Sequence, residues 1–153
     1  MPNSAHVPHI ELLLRGMRIT RERLHSRSKV AVDAKILRAL IRAAVHQSAF
    51  DPEFYLATYP DVAEAHRAGT VTDLHEHYVE TGFFEGRVGA AGDVDELFYV
   101  AEYPDVAQAM QAGEVSSASE HYVRSGAAEG RLPNPGLKPE IDAWTHVLRE
   151  HTF

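Results

Sequence analysis

Residues 50–63 read FDPEFYLATYPDVA, and residues 94–107 read VDELFYVAEYPDVA. Each stretch continues to a His-Tyr-Val segment, HYVETG at 77–82 or HYVRSG at 121–126, and then to Glu-Gly-Arg at 85–87 or 129–131. Without any gap, roughly 21 of 38 aligned positions are identical. The sequence therefore contains one structural unit used twice, and each copy is expected to need a neighbour to bury its apolar side.

The first two helices of each copy are predicted from their end signals. In the first copy Asp51 is an N-cap and Pro52 takes the first helical position. Tyr59-Pro60 marks a corner, because proline is accepted at the first position of a helix but not in its interior. Asp61 then suits the helix dipole, and Gly69 can end the second helix in the left-handed conformation.

The third helix of each copy begins with a capping box. Asp73-x-x-Glu76 in the first copy aligns with Ser117-x-x-Glu120 in the second, and both pairs can cap a helix start. We predict that glycine closes these helices, at Gly82 and Gly126.

Two further helices are predicted before the repeats. One runs from His9 to about Arg27, with an apolar stripe of Ile10, Leu13, Leu14, Met17 and Leu24. The other starts at the N-cap Asp33 and reaches about Gln47. Its apolar face is wide, so we expect it to be buried on two sides. That face comprises Ile36, Leu37, Leu40, Ile41, Ala44 and Val45.

The chain after the repeats is predicted to form a linker and a cap. Residues 132–136 read LPNPG, and a helix from Pro139 to about Glu150 carries Ile141, Trp144 and Leu148 on one face. Phe83-Phe84 become Ala127-Ala128 in the second copy, which fits large side chains between repeats and small ones beneath a cap.

No segment alternates like a strand, so the predicted fold is all-α. It consists of two tandem three-helix repeats flanked by an N-terminal helical pair and a C-terminal capping helix. The predicted boundaries are a basic N-terminal arm at 1–49, repeats at 50–93 and 94–132, and a linker with its helix at 133–153.

Charge is distributed unevenly along the chain. Residues 1–49 carry nine Lys/Arg against three Asp/Glu, a net +6, and the remainder carries six against 19, a net −13. The basic arm can lie on its own body, on a neighbouring subunit, or on an external anion such as a phospholipid surface, a nucleic acid or an acidic polysaccharide. The candidate anion- or partner-binding residues are Arg15, Arg18, Arg21, Arg23 and Arg27, with Lys29 beside them.

Composition excludes several classes of site. The chain has no cysteine, so it has no disulfide, thiolate metal site or cysteine nucleophile. No apolar run is long enough to span a membrane, and no cleavable export signal is predicted. The protein is therefore expected to be cytoplasmic, or exported to the surface by a signal-independent route.

The duplicated text resembles a bacterial repeat family with the pattern (N/Y)PDVA…HY…G…EGR. Such repeats occur beside glycosyltransferases of surface-polysaccharide synthesis and in secreted haemolysin-type proteins. The resemblance covers residues 50–88 and 94–132, although Tyr replaces the Asn often found before the proline. It implies a helical module associated with surface polysaccharide, and it carries no established catalytic residue.

The repeated polar residues allow two interpretations. As ligand subsites, Arg would bind a carboxylate or sulfate, His and Glu would bind hydroxyls, and Tyr would stack on a sugar. As structural clamps, Arg and Glu would hold the exit turn while His and Tyr bond to backbone ends; this interpretation is favoured. The candidate ligand residues are Tyr55, His77, Tyr78 and Arg87, repeated as Tyr99, His121, Tyr122 and Arg131.

We predict no metal site, cofactor or enzymatic activity. In His75-Glu76-His77 the two histidines point to opposite sides of a helix, whereas zinc-binding pairs sit four residues apart. The basic arm has no interleaved aromatic residues, which disfavours nucleic-acid binding.

The predicted function is a non-enzymatic repeat module that binds or organises bacterial surface polysaccharide. The alternative is a structural scaffold that forms homo-oligomers or binds a partner protein through residues 9–47.

Overall fold

The computed structural model describes residues 7–149, and these residues form helices and turns with no strand. The predicted all-α class is confirmed. The chain divides into two compact units, Met1–Gly89 and Ala90–Phe153. The predicted arm and first repeat lie in the first unit, except that residues 90–93 of that repeat belong to the second. The second repeat and the C-terminal segment lie in the second unit.

The first predicted helix is broken into two. α1 spans Ile10–Met17 and α2 spans Arg21–Leu24, so the prediction of one helix to Arg27 is wrong. The break is at Arg18, whose backbone is left-handed with a φ of 56°. The N–H of Ile19 then bonds to the carbonyl of Leu14, which closes α1. On the predicted stripe only Leu14 is buried, and Leu24 lies exposed.

The second predicted helix, α3, spans Ala34–Val45 and begins at its expected cap, since Asp33 accepts a hydrogen bond from the N–H of Lys35. Its apolar face is less covered than expected. Val45 is buried, but Leu37 is 50% exposed and Ala44 is exposed. Within the described residues, α3 is therefore not buried on two sides.

The first copy of the duplicated sequence begins with the predicted helices. α4 spans Pro52–Thr58 and α5 spans Pro60–Arg67. Asp51 accepts hydrogen bonds from the N–H groups of Glu53 and Phe54, so the predicted cap is confirmed. Gly69 follows α5 with a φ of 75°, in the expected left-handed conformation.

The third helix of this copy does not end at Gly82. α6, Leu74–His77, runs directly into a π-helical turn, Tyr78–Gly82, and then a 3-10 turn, Phe83–Glu85. Gly82 keeps a helical φ of −59°, and the left-handed glycine is Gly86 with a φ of 80°. The predicted closing role of Gly82 is therefore wrong, whereas in the second copy the helix does end at the counterpart Gly126. The cap at the other end is confirmed, because Asp73 accepts from the N–H of Glu76.

The second copy has the same succession of elements as far as the π-helical turn, which is followed by a turn at residues 127–130 instead of a 3-10 helix. α7 spans Glu96–Glu102, α8 spans Pro104–Gln111, and α9 spans Ala118–His121 and continues as a π-helical turn, Tyr122–Gly126. Ser117 caps α9 by accepting from the N–H of Glu120. The carboxylate of Glu120 bonds back to the N–H and hydroxyl of Ser116, one residue before the cap.

Each copy is closed by a backbone hydrogen bond between its two ends. The N–H of Asp51 donates to the carbonyl of Gly89 at 2.9 Å, and the N–H of Asp95 donates to that of Pro133 at 3.1 Å. Each unit has a small core, and in the first unit α3 contributes to it. The first contains Val45, Tyr55, Val62, Tyr78 and Val79, and the second contains Tyr99, Val106 and Ala118.

The last helix, α10, spans Lys138–Arg149, and the predicted end at Glu150 lies outside the described residues. Its apolar face is not covered as a capping helix requires. Trp144 and Leu148 are each 67% exposed, and Ile141 is only partly buried. In the linker, Asn134 accepts from the N–H of Leu137 and starts a 3-10 turn, Pro135–Leu137.

The two phenylalanines of the first copy contact their own unit. The guanidinium carbon of Arg38 on α3 lies 3.8 Å from the centre of the Phe84 ring. Phe83 is 41% exposed and meets the Tyr78 ring edge-on. Phe84 thus packs against Arg38 of α3 within its own unit.

Candidate functional site

One arginine in each copy holds two carboxylates. Arg87 donates from Nη1 and Nη2 to the two oxygens of Asp61 at 2.9 and 2.8 Å, and from Nε to Glu85 at 2.9 Å. Arg131 donates in the same way to Asp105 at 3.0 and 2.7 Å, and to Glu129 at 2.5 Å. We call Asp61–Arg87–Glu85 and Asp105–Arg131–Glu129 the arginine clamps.

Local backbone geometry brings each clamp together. Asp61 lies in the first turn of α5, immediately after Pro60 has started that helix. Glu85 and Arg87 flank Gly86, whose left-handed backbone reverses the chain. Both side chains can then lie on the same side, and the arginine fork reaches back across 26 residues to Asp61.

Charge-assisted hydrogen bonding shifts the acidity of the clamps. The Arg87 guanidinium lowers the pKa of Asp61 to about 2, and Arg131 lowers the pKa of Asp105 in the same way. The two aspartates raise the pKa of their arginines in return. The aspartate side chains are 65% and 60% exposed, so solvent screens much of this attraction.

A tyrosine beneath each arginine fixes the chain that leaves the copy. The Arg87 guanidinium carbon lies 5.0 Å from the centre of the Tyr59 ring, and that of Arg131 lies 4.9 Å from Tyr103. The Tyr59 hydroxyl accepts a hydrogen bond from the N–H of Val88 at 2.8 Å. Tyr103 accepts from Leu132 at the same distance. These tyrosines were not among the predicted site residues, although both copies contain them.

The predicted ligand residues Tyr55 and Tyr99 are fully buried. Each hydroxyl lies 3.2 Å from Nδ1 of a partly exposed histidine, His77 or His121. Loss of water raises the pKa of both tyrosines to about 12. Their rings have no exposed face, so the prediction that they contact a ligand is wrong.

The other predicted pair of tyrosines also packs inward. Tyr78 is 6% exposed and stacks against Phe50, with ring centres 5.5 Å apart. Burial raises its pKa. Tyr122 is partly exposed and meets the Tyr99 ring edge-on at 6.0 Å. Tyr78 therefore cannot stack on a sugar, and Tyr122 retains part of its surface.

The glycines in the π-helical turns were not recognised as part of this site. A Cβ added at Gly82 would overlap the Tyr55 hydroxyl, and one at Gly126 would overlap that of Tyr99. The available signal was a glycine at the same position of both copies, which fits close approach of another group as well as a helix end.

Two arginines of α3 hold the basic segment to the third helix of the first copy. Arg38 donates to the backbone carbonyl of Glu80 at 2.6 Å. Arg42 forms an ion pair with the Glu80 carboxylate and lies 3.9 Å from that of Glu76. This part of the basic arm lies on its own body, one of the three arrangements considered from the charge distribution.

The five predicted arm residues are all exposed, but they have different surroundings. Arg21 pairs with Glu11 across the α1–α2 break. Arg18 and Arg23 line an open cavity of about 1030 Å³ between that break and the start of α3. Arg15 and Arg27 are exposed elsewhere on the segment.

The histidines of the His75-Glu76-His77 motif point apart as expected. His75 packs against His46 and Phe50, with ring centres 4.8 and 5.0 Å away, whereas His77 faces Tyr55. Residues 7–149 contain no cluster of three or more His, Asp or Glu side chains placed to hold a metal. Nor do they include a helix long and apolar enough to cross a membrane.

In comparisons with known proteins, no family model matches the chain, and no curated protein or solved structure matches it either.

Proposed function

We propose that this protein is a non-enzymatic module of two tandem three-helix repeats that binds or organises bacterial surface polysaccharide. The observation that carries the proposal is the pair of arginine clamps, which present the same atoms to solvent in both units. Glu85 and Glu129 are 49% and 47% exposed, and the two aspartates are more exposed. The resemblance of the repeat text to polysaccharide-associated proteins points to the same ligand class.

Clamp geometry suits sugar hydroxyls better than it suits anions. Each carboxylate oxygen has two lone pairs, and the arginine uses only one of those on each aspartate oxygen. The remaining lone pairs can accept hydrogen bonds from hydroxyl groups. A guanidinium already shared by two carboxylates has little capacity for an acidic sugar, so we propose neutral, hydroxyl-rich glycans as ligands of the clamps.

The test is binding of the purified chain to a panel of neutral and acidic bacterial polysaccharides at low and high salt. We expect saturable binding that survives salt, and we expect Glu85→Ala with Glu129→Ala to weaken it. The matched control is Glu53→Ala with Glu102→Ala, which removes one exposed glutamate from each unit outside the clamps. Equal polysaccharide binding by both double variants would overturn the assignment to the clamps. Binding that is lost at high salt would implicate the basic N-terminal arm alone.

A second candidate function is an oligomerising scaffold that acts through residues 9–47. It is favoured by the uncovered apolar surface of α1 and α3, where Leu12 and Leu37 are 57% and 50% exposed. Between these helices lies a largely apolar groove of about 400 Å³ that includes Leu13 and Leu40. Light scattering tests the scaffold. A strict monomer at all concentrations would eliminate homo-oligomers, while Leu37→Glu should dissociate any oligomer that uses this face.

A further inference from the structure

The cavity between the α1–α2 break and the start of α3 has an unusual balance of charge. Four of its lining residues are basic, and Asp33 is the one acidic residue among them. The Asp33 carboxylate is engaged in capping α3 through the N–H of Lys35, at 2.8 Å. The basic lining residues are Arg18, Arg23, Lys29 and Lys35.

Three of these basic residues are not neutralised by a neighbouring carboxylate. Among residues 7–149, Arg18, Arg23 and Lys35 have no ion-pair partner, while Arg21 between them is paired with Glu11. Like charges around one concavity repel each other and raise the local positive potential. An anion in the cavity would remove that repulsion.

The backbone of Arg18 supplies an independent observation. Its φ of 56° is the single positive value among the non-glycine residues that the structure describes. The left-handed position at a helix end normally favours Gly or Asn, because a larger side chain is strained there. Here an arginine occupies that position, and it is one of the residues that line the basic cavity.

We propose that this cavity is a binding site for a compact polyanion of the phosphate type, such as a diphosphate group, held by Arg18 and Arg23 with Lys35. An open recess lined by basic residues suits a small ligand with several charged oxygens better than it suits a flat membrane surface. Arginine forks match phosphate oxygens in geometry as well as in charge. The site is separate in residues and in chemistry from the arginine clamps.

Inorganic pyrophosphate is the first probe, titrated into the full chain by calorimetry at low and high salt. We expect one saturable site per chain, and we expect affinity to fall by about tenfold for each arginine changed in Arg18→Gln and Arg23→Gln. The matched control is Arg15→Gln with Arg27→Gln, exposed arginines of the same segment that do not line the cavity. Equal losses of affinity in both pairs of variants would overturn the site and indicate diffuse electrostatic attraction instead. Failure of the wild-type chain to bind pyrophosphate would also overturn the site.

Arg18→Gly separates binding from folding. Glycine relieves the positive φ, so this variant should unfold at a higher temperature than Arg18→Gln while binding pyrophosphate equally weakly. Retention of wild-type affinity by Arg18→Gly would overturn the role of this arginine.

Phosphatidylglycerol vesicles distinguish a free phosphate compound from a lipid headgroup. Vesicle binding that pyrophosphate abolishes would identify a headgroup in the cavity, whereas vesicle binding that pyrophosphate leaves intact would exclude a lipid headgroup as its occupant. Pyrophosphate contains no sugar, so these results are independent of whether the clamps bind glycans.

Discussion

The hydroxyl of Tyr55 occupies the space that a side chain at Gly82 would need, and Tyr99 stands in the same relation to Gly126. In each copy the π-helical turn therefore presents a bare backbone to a fully buried ring. A buried phenol must also satisfy its hydroxyl, and the neighbouring histidine does so at 3.2 Å. Each tyrosine thus forms one packing unit at the centre of its copy with a histidine 22 residues later and a glycine five residues after that histidine.

Gly82→Ala is expected to lower the free energy of unfolding by about 1 to 3 kcal/mol, because the added methyl group overpacks the core. Chemical denaturation measures the change. Gly16→Ala on α1 is the matched control, since Gly16 also lies within a helix but its added Cβ would meet Ile36 at an ordinary 3.5 Å. It should stabilise the protein by about 0.5 to 1 kcal/mol. A similar effect of both changes would contradict the proposed close packing.

Tyr55→Phe should reduce the cost of Gly82→Ala, because it removes the atom that the new methyl group overlaps. A double-mutant cycle on the free energy of unfolding measures this coupling. Simple additivity of the two changes would show that the hydroxyl is not the obstacle.

Acid should weaken the arginine clamps over a defined range of pH. The pKa of Asp61 is lowered to about 2 from 3.8, so its contribution is complete above about pH 4 and is lost as the pH falls towards 2. Arg87→Gln should therefore be less stable than the wild type at neutral pH, with a difference in melting temperature that shrinks in acid and in high salt. Arg15→Gln, which removes an unpaired exposed arginine, should show no such trend.

Alkali, like acid, should destabilise the protein, but through the buried tyrosines of the two cores. The pKa of Tyr55 and Tyr99 is raised to about 12 in the folded state, whereas an unfolded tyrosine ionises near 10. The contribution of these tyrosines to stability is therefore expected to be constant below about pH 10 and to fall as the pH rises towards 12. Tyrosinate absorbance should show a late-titrating group, and Tyr55→Phe should reduce its amplitude. Uniform titration of all tyrosines before unfolding would contradict the burial.

Trp144 is the only tryptophan in the chain, so its fluorescence reports on α10 alone. At 67% exposure it should be readily quenched by acrylamide, and Trp144→Ala should change the free energy of unfolding by less than about 0.5 kcal/mol. A blue shift with rising protein concentration would show that α10 becomes covered in an oligomer. Blue-shifted, protected emission at high dilution would contradict the exposure seen here.

Helix caps and corners could be predicted from the sequence because the interactions that determine them are local. Asp33, Asp51 and Asp73 each bond to a backbone N–H two or three residues ahead, and such caps can be recognised from residue type and spacing. The Tyr59-Pro60 corner follows from proline sterics in the same way.

Features that depend on contacts between residues distant in sequence could not be predicted. Gly82 has the residue type of a helix end, but the ring of Tyr55, 27 positions earlier, requires it inside a π-helical turn. The break at Arg18 is equally hidden, because an arginine gives no sign of a left-handed backbone. The inward-facing tyrosines were assigned to a ligand because duplication marks a required residue without distinguishing packing from binding.

Each copy closes on itself, through the Asp51–Gly89 and Asp95–Pro133 backbone bonds and through a clamp whose three members all belong to that copy. No half of a clamp has to be completed by a residue of the other copy. Duplication or deletion of a whole copy would consequently leave no member of a clamp without its partners. Such a segment is suited to changes of copy number during evolution, and an engineered third copy inserted between residues 89 and 90 would contain its own core and clamp.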